Sequence, residues 1–327
     1  MFPQRRMRRL RGRLLQPLLQ EHHIKKTDLI APVFIDATTS VPVQVASMPG
    51  QYRYPPADAA GVASDLYAKG IRALLLFGIP PEKDSRATEA FREDGVIQTA
   101  IRDIKSSVPG MVVITDVCAC EYTDHGHCGI VGETCNGPDL LNDPSLELME
   151  KIAVSHAGSG CDIVAPSCML DGMVASIRRA LDDAGYADVA IMSYSTKFSS
   201  SLYGPFRDAA ESGFTFGDRS TYQINPANGR EAVLESYLDR EEGADILMVK
   251  PAGLYLDLVA AVSEFGLPVA AFQVSGEYAM IKAAAQNGWI KEREAVMESM
   301  NCMKRAGAVL VITYFAADIA GWIDEEQ

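Results

Sequence analysis

Met111-Val-Val-Ile-Thr-Asp116-Val117 runs directly into Cys118-Ala-Cys120-Glu-Tyr-Thr-Asp-His125-Gly-His127-Cys128-Gly. The first part is apolar and β-branched without a polar alternation, which reads as a strand buried on both faces, as in a parallel sheet. The second part is rich in glycine and polar residues and reads as a loop. Seven further runs of the same kind lie on either side, at 29–35, 73–79, 162–166, 189–194, 245–249, 268–274 and 308–313. Helical patterns fill the gaps, at 87–106, 145–156, 173–184, 229–242, 278–286 and 291–305, and Asn142-Asp-Pro-Ser145 reads as a helix start. Strand and helix alternating eight times is the pattern of an α/β protein of the (β/α)₈ barrel type. A doubly wound open sheet is the alternative, but no glycine-rich phosphate fingerprint follows the first run.

In such a barrel the C-terminal strand ends meet at one mouth. The polar residues collect at those ends: Asp116 and Cys118 after the third run, Ser167 after the fourth, Lys197 after the fifth, Lys250 after the sixth, Ser275 after the seventh and Tyr314 after the eighth. Cys118, Cys120 and Cys128 place three soft thiolate ligands on one loop, which suits zinc. Three protein ligands leave a coordination position open to water or substrate, unless His125 or His127 supplies the fourth. Three incidental buried cysteines are the bland reading, and the loop composition argues against it. Lysine normally stays exposed, yet Lys197 and Lys250 each follow an apolar run. A desolvated amine loses its proton more readily and can attack a carbonyl to form a Schiff base. Residues 198–222 form a long connection on the same side, with Arg207 and Arg219 in it, and suit a lid that binds a carboxylate.

The 327 residues carry a formal net charge of −13, which argues against nucleic acid or an anionic membrane as the partner. No apolar stretch is long enough for a bilayer. Seven cysteines in a chain this long do not make a secreted disulfide framework, so a reducing cytoplasmic setting is expected. The start of the chain holds Arg5, Arg6, Arg8, Arg9, Arg11 and Arg13 with no acid before Glu21. Residues 1–27 are read as an arm for contacts between subunits and 28–327 as the catalytic barrel.

Several stretches together resemble one family. They are Ser47-Met-Pro-Gly, Leu76-Phe-Gly-Ile-Pro, the cysteine loop, Met192-Ser-Tyr-Ser-Thr-Lys-Phe, Tyr203-Gly-Pro-Phe-Arg, Gly217-Asp-Arg-Ser-Thr-Tyr-Gln, Met248-Val-Lys-Pro-Ala-Gly, Gln273-Val-Ser-Gly-Glu-Tyr-Ala-Met and Met303-Lys-Arg-Ala-Gly-Ala. Spread nearly end to end, they resemble porphobilinogen synthase, or 5-aminolevulinate dehydratase. The resemblance implies a lyase of tetrapyrrole (heme) biosynthesis that condenses two molecules of 5-aminolevulinate to porphobilinogen with loss of two waters. It implies that Lys250 forms a Schiff base with the P-site substrate and that Lys197 engages the A-site substrate. Ser275 and Tyr314 match the residues that hold the P-site carboxylate. Arg207, Arg219 and Gln223 match those that hold the A-site substrate. Cys118, Cys120 and Cys128 match the triad of the zinc-dependent members. Asp116 beside them is a carboxylate for handling protons or tuning a lysine, or alternatively for orienting a cysteine. Glu235 matches a glutamate that relatives use for an allosteric magnesium at a subunit interface. The resemblance also implies a homo-octamer whose dimers embrace through their N-terminal arms. Cys168 departs from the family pattern and adds a thiol near the mouth.

Overall fold

The computed structural model describes residues 3–135 and 137–325. Eight parallel strands close into a barrel: β1 Leu29–Asp36, β2 Ala73–Ile79, β3 Val112–Val117, β4 Ile163–Pro166, β5 Ala190–Lys197, β6 Ile246–Lys250, β7 Val269–Gln273 and β8 Leu310–Thr313. The closing seam pairs Leu29 with Val311 and Ile30 with Ile312. All eight residues of β1 and all five of β7 are buried, because the barrel interior takes one face of each strand and the helix ring takes the other.

The helices follow the expected alternation. They are α1 Ala59–Ala68, α2 Val96–Ser107, α3 Asn142–Gly158, α4 Met173–Asp183, α5 Gly204–Ala210, α6 Gly229–Glu241, α7 Leu256–Ser263, α8 Ser275–Gln286, α9 Glu292–Arg305 and α10 Ala316–Asp324. One expectation needs correction. The pattern at 87–106 is broken into a 3₁₀ turn, Thr88–Phe91, and α2, because Ala87 adopts φ 52° and Arg92 pairs with Glu89 and Asp94 just before Gly95. The long connection after β5 carries local structure of its own. It holds a 3₁₀ turn, Ser201–Tyr203, followed by α5, where Pro205 sits in the first helical turn and suits it.

Before the barrel, a short helix at Arg6–Leu10 and a 3₁₀ turn at Pro17–Leu19 bury no residue. Met7, Leu10, Leu14, Leu15, Leu18 and Leu19 are all exposed. The chain joins the barrel at buried Ile24, where Lys26 pairs with Asp324 and Lys304 with Asp28. Among the described residues, no helix is long and apolar enough to cross a membrane.

Candidate active site

Lys197 and Lys250 are the last residues of β5 and β6 and stand opposite each other in the sheet register. Each strand therefore runs on to include its lysine. Both side chains are only 5% exposed. The Lys250 ammonium sits among aromatic rings, 4.3 Å from the Phe272 centroid, 4.8 Å from Tyr194, 5.1 Å from Phe206 and 5.5 Å from Tyr203. Burial is the main force on it, and repulsion from Lys197 adds to that, so its pKa is pushed down to about 7. Lys197 behaves differently. Its ammonium donates to the Ser167 carbonyl at 2.5 Å. Burial pulls it down, but Cys128, Cys118 and Asp116 more than offset that, and it is held above its ordinary value. Two lysines in one pocket are thus shifted in opposite directions.

Asp116, on β3, accepts from the Ser167 hydroxyl at 3.2 Å through one carboxylate oxygen, while the other oxygen is buried without a partner. Burial raises its pKa, and the two lysines oppose the rise. Beyond it, Cys118, Cys120 and Cys128 are all buried and their sulfurs lie within 4.8 Å of one another. Cys118 and Cys120 are 3.3 Å apart, sulfur to sulfur. Burial pushes the Cys118 thiol up, whereas donation from Cys118 and Cys120 pulls Cys128 down. Three converging soft donors fit a zinc ion.

The two histidines do not complete this set. The Nε2 of His127 donates to the Phe216 carbonyl at 3.1 Å, so its Nδ1 accepts from the Tyr222 hydroxyl at 3.1 Å, and both ring nitrogens are used. His125 accepts from the His127 amide through Nδ1, and neither ring belongs to a three-ligand group among the described residues. These histidines instead fasten the long connection at 198–222. Thr215 donates its amide to the His125 carbonyl at 3.1 Å, and Arg219 donates to the carbonyls of Gly126 and Ser212 at 2.8 Å each. Gly126 has φ +72°, and a Cβ there would come 2.2 Å from the Gly213 carbonyl oxygen, so the loop approaches the lid as closely as backbone allows.

The cavity that this closure leaves is lined by Asp116, Cys120, Lys197, Lys250 and Arg219, together with Phe77, Glu121, Ser167, Tyr203 and Phe206. Its volume is about 10 Å³, room for roughly one water. The other expected residues do not line it; Tyr314 lines a separate pocket and Gln223 an outer groove. Tyr314 stacks on Phe34 at 6.1 Å, and its hydroxyl is buried without a partner. Arg207 packs over the Phe214 ring at 5.0 Å, with Nε buried and unpartnered, and both amide atoms of Gln223 are likewise buried and unpartnered. Ser275, at the start of α8, accepts from the Phe206 amide at 3.0 Å.

Glu235 is remote from this cavity. It lies on α6 and lines a groove of about 460 Å³ with Asp171 and Glu231. Burial raises its pKa, and those neighbouring carboxylates raise it further. They do not converge into a three-ligand group among the described residues. Cys168 is fully buried behind the mouth, its sulfur 3.3 Å from that of Met149.

The motif reading passed over Glu121. It is buried, accepts from Cys120 at 3.2 Å, and is pushed up to about 7 by burial and by Asp116. Its position next to Cys120 was the available signal. The aromatic rings around Lys250 were also passed over, since rings at strand ends look like core.

The family model for delta-aminolevulinic acid dehydratase matches residues 4–322. The chain belongs to the delta-aminolevulinic acid dehydratase family. It is 49% identical over 325 residues to the delta-aminolevulinic acid dehydratase of Halalkalibacterium halodurans, covering 99% of this chain and 98% of the relative. The delta-aminolevulinic acid dehydratase of Archaeoglobus fulgidus is 51% identical over 320 residues, with 98% of each chain covered. A solved delta-aminolevulinic acid dehydratase (porphobilinogen synthase) from Toxoplasma gondii ME49, in complex with the reaction product porphobilinogen, superposes with a TM-score of 0.95 at 40% identity, covering 100% of this chain and 93% of that one. As a delta-aminolevulinic acid dehydratase the chain is an enzyme, a hydro-lyase, and the barrel is the family's fold.

Proposed function

We propose that this enzyme joins two molecules of 5-aminolevulinate into porphobilinogen with loss of two waters, through Schiff bases at Lys250 and Lys197 and a catalytic zinc held by Cys118, Cys120 and Cys128. The observation that carries the reading is Lys250: a buried amine pushed down to about 7, in one cavity with a second lysine and with Cys120 of the thiol cluster. At neutral pH a large fraction of Lys250 is then free amine. It attacks the substrate ketone, the C–O bond breaks as water leaves, and the imine draws electrons from the neighbouring carbon. Asp116, beside both lysines, is placed to receive and return protons. Lys197 takes up the second substrate after giving a proton to that network.

Substrate recognition falls to side chains whose polar atoms are buried and unsatisfied. Arg207 Nε, Arg219 Nε, both amide atoms of Gln223 and the Tyr314 hydroxyl have no partner among the described residues, and such atoms need one. We assign Arg207, Arg219 and Gln223 to the A-site molecule, and Tyr314 with Ser275 to the P-site carboxylate. A cavity the size of one water cannot hold either substrate, so the lid at 198–222 lifts to admit them. Zinc, when bound, supplies a Lewis acid for a substrate oxygen or nitrogen. Glu235 alone is assigned to an allosteric magnesium at a subunit interface, since Glu231 and Asp171 do not converge on it. Incubation of the zinc-supplied protein with 5-aminolevulinate, followed by a colour test for a pyrrole, tests the reading. No pyrrole would overturn it.

The arm, residues 1–27, is assigned to contacts within a cytoplasmic homo-octamer. Met7 and Leu10 stand among its arginines and Leu14, Leu15, Leu18 and Leu19 follow them, and all six are exposed among the described residues of a chain whose net charge is −13. Removing residues 1–20 is expected to leave the barrel folded, shift sedimentation to a smaller species and lower activity. An unchanged sedimentation coefficient refutes the docking role.

A further inference from the structure

Glu277 stands on the third position of α8 and is 7% exposed. One oxygen accepts from the amide of Val274, just before the helix, at 2.7 Å. That bond is an ordinary helix-start contact. The other oxygen does something the helix does not need. It reaches across and accepts from the Gly253 amide at 3.0 Å. Gly253 lies three residues after Lys250, in the loop that leaves β6. A Cβ on Gly253 would come 2.1 Å from that same carboxylate oxygen. Gly253 is not among the glycines with positive φ, so its lack of a side chain answers to the carboxylate rather than to backbone conformation.

The link closes a ring. The Lys250 carbonyl accepts from the Tyr203 hydroxyl at 3.1 Å and from the Phe198 amide at 3.0 Å. The chain from Tyr203 leads to Phe206, whose amide donates to the Ser275 hydroxyl at 3.0 Å. Next to Ser275, a Cβ on Gly276 would come 2.5 Å from the Leu202 carbonyl oxygen. From Ser275 it is two residues to Glu277 and back to the Lys250 loop. Tyr203 thus ties Lys250 to the lid, Ser275 ties the lid to α8, and Glu277 ties α8 to the loop after Lys250.

We propose that Glu277 is a positioning residue: its carboxylate fixes the loop after Lys250 against the helix start that carries Ser275, setting the distance between the amine that attacks the substrate and the group that holds its carboxylate. The inference rests on Lys250 being the Schiff-base residue. It adds what keeps that amine in register, since reacting atoms must be held about 3–3.5 Å apart for efficient attack.

Two variants test it from opposite sides. Glu277→Gln keeps the shape but turns one acceptor into a donor facing an amide. Gly253→Ala keeps the carboxylate and its bond to Val274 but displaces the oxygen that faces the loop. The readouts are the rate of borohydride trapping of 5-aminolevulinate on Lys250, kcat and KM separately, and thermal unfolding. Each variant is expected to slow trapping and kcat roughly tenfold to a hundredfold, the scale of a lost hydrogen bond to a charged group, with a smaller change in KM. Both should unfold cooperatively. Wild-type trapping rates in both folded variants overturn the inference. So does loss of the fold in both, which would make the contact purely structural; if only one fails to fold, the other decides. Absence of trapping on Lys250 in the unmodified enzyme is a separate outcome, which overturns the Schiff-base assignment itself.

Discussion

Lys250→Arg is expected to abolish turnover, by ~10⁴-fold or more, the scale of losing a covalent nucleophile. Guanidinium stays protonated and cannot form an imine. In the unmodified enzyme, borohydride added with 5-aminolevulinate should leave substrate tied to Lys250 as a secondary amine, and an adduct found only on other peptides would sink the assignment. The trapping rate should also depend on pH in a definite direction. Burial and Lys197 hold Lys250 at about 7. The reactive form is the deprotonated one, so the rate falls as pH drops through that value and levels above it. Lys197→Met removes the repelling charge, which lets Lys250 keep its proton more tightly. The acid limb should therefore move to higher pH, but only in part, because burial is the larger cause and remains. A limb that stays in place would mean that Lys197 does not tune its neighbour.

Replacing Cys118, Cys120 and Cys128 with alanine should give a folded protein that no longer binds zinc and loses activity by more than ~100-fold, beyond the ~10–100-fold cost of losing an outer-shell partner. Chelation should cost activity before it costs fold, since the core is built by eight strands and the helices around them rather than by the sulfur loop alone. Thiolate binding requires loss of protons, so zinc affinity should fall as pH falls. Magnesium prefers oxygen ligands and should not restore activity at this site. Full turnover in metal-stripped enzyme supplied only with magnesium would show that the sulfurs are not the catalytic metal site.

Much of this was readable from sequence because the signals were periodic or compositional. The run 73–79 is apolar throughout and is a barrel strand with the same ends, and 245–249, apolar after Asp245, is one shifted by a single residue. The cysteine spacing and the two lysines carried their chemistry in residue type alone. What could not be read was tertiary. The roles of His125 and His127 depend on Phe216 and Tyr222, which are some ninety residues away in sequence. The depression of Lys250 depends on rings from four different segments, none of which marks itself as functional. Gln223 and Glu235 look alike as polar residues near helix α6, yet they line the same outer groove rather than the lysine cavity.

The lid is bolted to the cysteine loop by Arg219, His127 and Thr215. A displacement of residues 198–222 therefore either breaks these bonds or drags the sulfur-bearing loop along with it, so the two segments are mechanically coupled.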